Sequence, residues 1–326
     1  MRLRVSKLFA VAALSVVASL TAGAQTVTTQ ISFTEPVQGI TTNFVTNKIY
    51  VVVSFGAGTS DALEVIDGSS NAVTAIIPLP VGAYVPAVDI LTNRIYVAGC
   101  NYSPMSCIVS VVNGNNNQLI TNIPVTTTRG NGLTGITADP LTGKVFVSNG
   151  SDNVIDVINA YTNTVTGTIA LAGQTPWGLA INPVNNRLYV TLGNNEVDII
   201  NPHTATILDT VTVGSDNFNV AVNWITGNVY VPNSLFGPST TAVLGAGGTV
   251  LAQVPVGDTP NGVDVDPVTN LAFVANSAFN SVTVISGKTN TPTATVDGIP
   301  AFFLVVNPVT QNVYISGGET VTVMTE

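Results

Sequence analysis

Cys100 and Cys107 are the only cysteines in the 326-residue chain, and His203 is the only histidine. These counts bound the chemistry closely. One histidine and two cysteines leave zinc or haem ligation short of ligands. No Ser-His-Asp set can be assembled around His203, which follows Asn201-Pro202 in a turn. The expectation is no catalytic residue, no metal site and no cofactor. The cysteine pair has a simpler reading. In an oxidising compartment an even count implies a disulfide, here across a six-residue loop. A metal pair without further ligands and two buried free thiols are the alternatives.

The beginning of the chain makes that compartment plausible. Arg2, Arg4 and Lys7 precede an apolar stretch over residues 8–20, and Ala22-Gly23-Ala24 follows. This is the pattern of a secretory signal peptide over 1–24. The apolar stretch falls short of the roughly 20 residues that span a bilayer. The mature chain, 25–326, is thus expected to be extracytoplasmic, with no membrane span. Losing three basic residues takes the net charge from −9 to −12. So acidic a chain repels phosphate backbones, which argues against a nucleic-acid partner.

The elements that would position any site follow from a repeat. Seven times an Asn or Asp stands seven residues before an aromatic that opens a Val-rich run. The pairs are Asn43/Tyr50, Asp89/Tyr96, Asp139/Phe146, Asn182/Tyr189, Asn223/Tyr230, Asp266/Phe273 and Asn307/Tyr314. A period in the forties made of strands and turns predicts an all-β, seven-bladed β-propeller with four-stranded antiparallel blades, a single domain over 25–326. In blade 3 the expected strands are A at 135–138, B at 144–148, C at 154–159 and D at 164–171. Asn or Asp opens each A–B turn by bonding its own backbone. Three residues before the aromatic the chain needs positive φ, supplied by Asn47, Asn93, Gly143, Asn186, Gly227 and Asn270. The seventh repeat has Gln311 there and should be mildly strained. Gly39, Gly135, Gly178 and Gly262 precede the aromatics by eleven, where inner strands crowd the axis. The last repeat has no fourth strand, and the alternating segment 26–33 is expected to supply it and close the ring.

These residues resemble the YVTN family of β-propeller repeats. The resemblance is carried by residues 145–168, Arg187-Leu188-Tyr189-Val190-Thr191, Ala272-Phe273-Val274-Ala275-Asn276 and Asp209-Thr210-Val211-Thr212-Val213-Gly214. It implies an exported or surface protein and brings no catalytic motif. The family is related to haem-binding propellers of nitrite reductases, but this chain has no spare histidine for such a role.

All seven A–B turns share one spacing, so that face is uniform and His203 belongs to it. Variation falls on the opposite face, at 99–107, 126–132 and 232–238. Variable loops on a rigid scaffold are where recognition concentrates. The same face holds the channel mouth, ringed by residues just before each strand A. Tyr102, Arg129, Trp177, Asn217, Phe218, Asn261 and Phe302 are the candidate ligand-binding set, suited to a protein or carbohydrate ligand. The alternative is that Trp177 and Phe302 only pack between blades. Asp264, two residues before Asp266, is the acidic side chain expected to face the channel. The leading expectation is a monomeric, exported, non-catalytic binding scaffold. The alternative is a lactonase-like hydrolase using a channel-bound divalent cation.

Overall fold

The structure is a computed structural model that describes residues 25–54, 61–80, 82–103, 105–128, 132–214, 217–234 and 239–326. The expected signal peptide lies outside these residues. The described residues form seven four-stranded antiparallel sheets, each ordered A-B-C-D from the axis outward. Blade 3 runs Leu133–Asp139, Lys144–Asn149, Val154–Asn159 and Thr164–Ala170, within two residues of expectation at each boundary. Among the described residues no helix is long and apolar enough to cross a membrane.

Seven inner strands converge on the axis, and blades pack face to face around it. The seven aromatics Tyr50, Tyr96, Phe146, Tyr189, Tyr230, Phe273 and Tyr314 are all fully buried in the interfaces. Their burial contributes roughly 1.5–3 kcal/mol each. Close approach at the axis depends on glycine. A Cβ on Gly178 would lie 2.8 Å from the Phe218 carbonyl oxygen, and one on Gly262 would lie 2.8 Å from that of Phe302. Real Cβ atoms do not approach so closely, so a side chain at either position would push two blades apart.

The A–B turns form as the residue types dictate. Asn43 Oδ1 accepts from the Val45 and Thr46 amides, and Asp266 Oδ1 from those of Val268 and Thr269. All seven positive-φ positions are realised, Gln311 included at φ 57°. Gln311→Asn should therefore raise stability by about 0.5–1 kcal/mol, because Asn tolerates the left-handed region. Thermal unfolding checks this, and a melting temperature at or below the parent's would refute the strain. The same turns also link blades. Asn43 Nδ2 donates to Asn93 Oδ1 at 2.8 Å, Asn223 to Asn270 at 2.7 Å, and Asn307 to Asn47 at 2.7 Å. The last of these crosses from blade 7 to blade 1, so the seam carries the bond found inside the ring.

Ring closure follows the expected route. Val27–Ser32 pairs antiparallel with Thr320–Thr325 as the outer strand of blade 7. It also repeats a device of the ordinary outer strands. In blades 1, 3 and 6 a threonine, Thr74, Thr166 or Thr293, is the extra residue of a bulge. Its hydroxyl donates to a strand C carbonyl, that of Val65, Val157 or Val284. Thr28 does the same, bulging between Val27 and Thr29 and donating to the Val323 carbonyl at 3.2 Å.

One expectation needs correction. Residues 101–106 were expected to form a loop, but blade 2 instead extends its central hairpin. Arg94–Tyr102 pairs with Met105–Asn113, and the rungs Asn101/Ser106 and Tyr102/Met105 lie beyond the cysteines. Backbone groups in a long hairpin satisfy one another, which a loop must achieve otherwise. Cys100 and Cys107 are directly opposed with Cα atoms 4.1 Å apart, and they form the disulfide.

Candidate functional site

Each strand A borders both the channel and the neighbouring blades. Residues three before the turn Asn or Asp, such as Ile136, Leu179 and Leu304, are buried between blades. Residues two before it also reach the channel wall. They are Thr41, Ala87, Thr137, Ala180, Ala221, Asp264 and Val305, and all seven line the channel. Ala87, Ala180 and Ala221 among them pack at the same time into the clusters between blades. Asp264 is the only acidic or basic side chain among the described lining residues.

The channel has two contiguous chambers of about 550 and 270 Å³, which share Thr41, Thr137, Asp264 and Val305 in their walls. The smaller chamber opens among the A–B turns, where Phe44, Trp224 and a proline from each of blades 3, 4, 6 and 7 line it. The larger opens on the loop face. Its rim comes from residues five before the turn Asn or Asp: Tyr84, Thr134, Trp177, Phe218, Asn261 and Phe302. Three residue steps along the strand take the rim to Asp264, roughly 10 Å along an extended chain.

The rim is aromatic and partly open. Phe218 is 44% exposed and Phe302 45%, while Trp177 is half-buried. Trp177 meets Phe218 edge to face with centroids 5.1 Å apart, and Phe302 meets Phe303 the same way at 4.7 Å. These edge-to-face pairs fix the rings against their neighbours. Asn261 Nδ2 donates to Ser277 Oγ at 2.8 Å and to the Thr259 carbonyl at 3.3 Å.

Asp264 is held by backbone. Its Oδ2 accepts from the Val306 amide of blade 7 at 2.8 Å, and its Oδ1 from the Val265 amide at 2.9 Å. Burial pushes its pKa up to about 6, against the lowering effect of the two amide donors. The charge of Asp266 adds to the rise.

Of the sequence-derived candidates, Trp177, Phe218, Asn261 and Phe302 come together at the mouth. Asn217 does not. It is 2% exposed, and its side-chain amide donates to the Glu196 carbonyl, tying the approach to blade 5 onto blade 4. Tyr102, 62% exposed, stands at the hairpin tip of blade 2 rather than on the channel wall. Arg129 lies outside the described residues, as do 235–238 of the blade 5 loop. His203 is exposed in the turn after Glu196–Asn201, where its amide bonds Asn201 Oδ1. Among the described residues no three His, Cys, Asp or Glu side chains gather as a metal site would need. Tyr84 was missed, although it occupies the same position before Asp89 as Trp177 before Asn182. Trp224, directly after Asn223, was missed at the other end.

Comparison with known proteins fits this architecture. No family model matches the chain. The chain is 37% identical over 154 residues to PE-PGRS family protein PE_PGRS18 of Mycobacterium tuberculosis, which covers 47% of this chain and 33% of that protein. The match therefore spans about a third of that relative's length. Among solved structures, the hydrazine synthase of Kuenenia stuttgartiensis superposes with a TM-score of 0.74 at 18% identity. It covers 95% of this chain and 99% of that one, a likeness of fold alone.

Proposed function

We propose that this chain is an exported, monomeric β-propeller scaffold of the YVTN kind, which binds a protein or glycan ligand at the loop-face mouth of its channel without catalysing a reaction. The observation that carries this reading is the rim of Tyr84, Trp177, Phe218 and Phe302, aromatic faces held in place around an opening. Rigid aromatic surface binds ligand at little entropic cost, and aromatic residues dominate binding energetics elsewhere. The signal-peptide pattern of residues 1–24 and the Cys100–Cys107 disulfide support export.

Trp177 provides the assay. The chain has two tryptophans, so Trp224→Phe leaves Trp177 as the single indole reporter at the rim. Peptide and oligosaccharide libraries screened by its emission should yield ligands that Phe218→Ala weakens about tenfold, as expected for a central aromatic contact. Ligands whose affinity ignores both Phe218→Ala and Phe302→Ala would overturn the reading.

A lactonase-like hydrolase remains the second reading, and the one observation in its favour is Asp264 on the channel wall. Metal analysis of the purified mature protein tests it, with stoichiometric calcium or zinc the supporting result.

A further inference from the structure

The channel combines features that the mouth alone does not explain. Halfway down, a ring of seven side chains is neutral and small except at Asp264. No Lys or Arg is among the described residues lining either chamber, so this carboxylate has no counter-charge on the channel wall. Each of its oxygens accepts one backbone amide, which fixes the group and leaves each oxygen further acceptor capacity. Thr41 and Thr137 bring hydroxyl groups to the same ring. Above it stands the aromatic rim, whose ring faces attract cations.

We propose that the channel binds the ammonium group of a lysine side chain from a protein ligand, with Asp264 as its counter-ion and Trp177, Phe218 and Phe302 around its stem. This rests on the reading of the mouth as a ligand site and names the ligand's chemistry. The choice among cations follows from the donor set. A divalent ion needs several oxygen ligands, and Asp264 is the single carboxylate in the ring. A guanidinium binds best in the plane of the carboxylate through both oxygens at once, where the two amides already accepted compete for position. An ammonium is a compact charge that a single fixed carboxylate can pair with. The four-carbon lysine stem covers most of the distance from rim to ring. The negative net charge draws cations toward the protein from solution.

The experiment uses the mature protein and Nα-acetyl-lysine N-methylamide, with its neutral Nε-acetyl counterpart as control, followed by NMR titration. The amine should bind at least tenfold tighter than the control, and Asp264→Asn should abolish that difference. Because the substitution puts a side-chain amide against two backbone amides, the variant's fold is checked first by circular dichroism. A titration of the unaltered protein is independent of that outcome. Asp266 and Glu326 are the other acids near Asp264, and lysine stays charged throughout. Binding should weaken roughly tenfold between pH 7.5 and 5, as a group with a pKa of about 6 becomes protonated. Equal binding of amine and control, no binding of either, or a flat pH profile would each overturn the proposal. If amine and control bind equally but Phe218→Ala weakens both, the aromatic mouth stands and only the ammonium assignment falls. Glucosamine preferred over N-acetylglucosamine, with no lysine preference, would move the ammonium to a glycan and overturn the protein source.

Discussion

Deletion of residues 26–33 should lower the melting temperature by roughly 5–10 °C and make the protein self-associate. The reason is the seam of the ring. Phe33 is 8% exposed and packs in a cluster with Ile40, Ile49, Val51, Tyr314, Val321 and Val323, contributed by blades 1 and 7. Emptying such a site costs about 3–5 kcal/mol, and each kcal/mol shifts the melting temperature by about 2 °C in a chain of this size. The deletion also removes the rungs from Val27/Met324 to Ser32/Thr320, the Thr28 bulge and the bond from the Phe33 amide to the Glu319 carbonyl. What remains is Thr320–Thr325 as a bare sheet edge, a template for pairing with another chain. Differential scanning calorimetry and size-exclusion chromatography read the two effects. Phe33→Ala alone should reproduce most of the thermal loss without the self-association. An unchanged melting temperature in the deletion variant would mean that the seam is held elsewhere.

Glu326→Gln should stabilise the protein at pH 8 by about 1–3 kcal/mol and flatten its dependence on pH. Glu326 folds back against the A–B turn of blade 6, where its Oε2 accepts from Thr269 Oγ1 at 2.9 Å and its amide donates to the Gln311 carbonyl. Its other oxygen, Oε1, and Oδ2 of the fully buried Asp266 have no other hydrogen-bond partner. Two adjacent carboxyl groups in that position are stable when they share one proton. Burial first, then the charge of Asp266 and the bond to it, push the Glu326 pKa up to about 9. The sign follows directly. An acid whose folded pKa is raised stabilises the fold while protonated, and that contribution is full below the ordinary glutamate range near 4.5. It declines as pH rises and is lost by about 9, when both groups are charged and repel. Gln donates the same hydrogen bond at every pH, and a hydrogen bond to a charged group contributes about 1.5–3 kcal/mol. Asp264, also raised, is present in both variant and parent, and its charge acts on Glu326 less than that of Asp266 does. Parallel stability curves from pH 5 to 9 would show that the pair does not share a proton.

Several features of this protein are local and could be read from residue order alone. Blade number follows from the recurrent Asn or Asp and its aromatic, because each repeat is one hydrogen-bonded unit with its own turn chemistry. Gln311 is an instructive case: the backbone of an A–B turn demands positive φ whatever residue stands there, so its left-handed conformation was legible without coordinates. The aromatic mouth was legible in the same way, since Trp177, Phe218 and Phe302 share one register before their turns. Sequence reasoning failed where a residue left that register, and also at Tyr84, which keeps it. Asn217 lies one position away from Phe218 and turns inward to Glu196, and the cysteine loop is a longer hairpin because strand pairing can continue past a bridge. Only the closed ring decided the rest. Asp264 is a lone carboxylate only because six other strands bring neutral side chains to the same height. Asp266 meets Glu326 from 60 positions away because closure seats the last strand of blade 7 beside the A–B turn of blade 6. Turn geometry and strand alternation act over a few residues, whereas the charge environment at the axis is a sum over seven strands that only tertiary structure assembles.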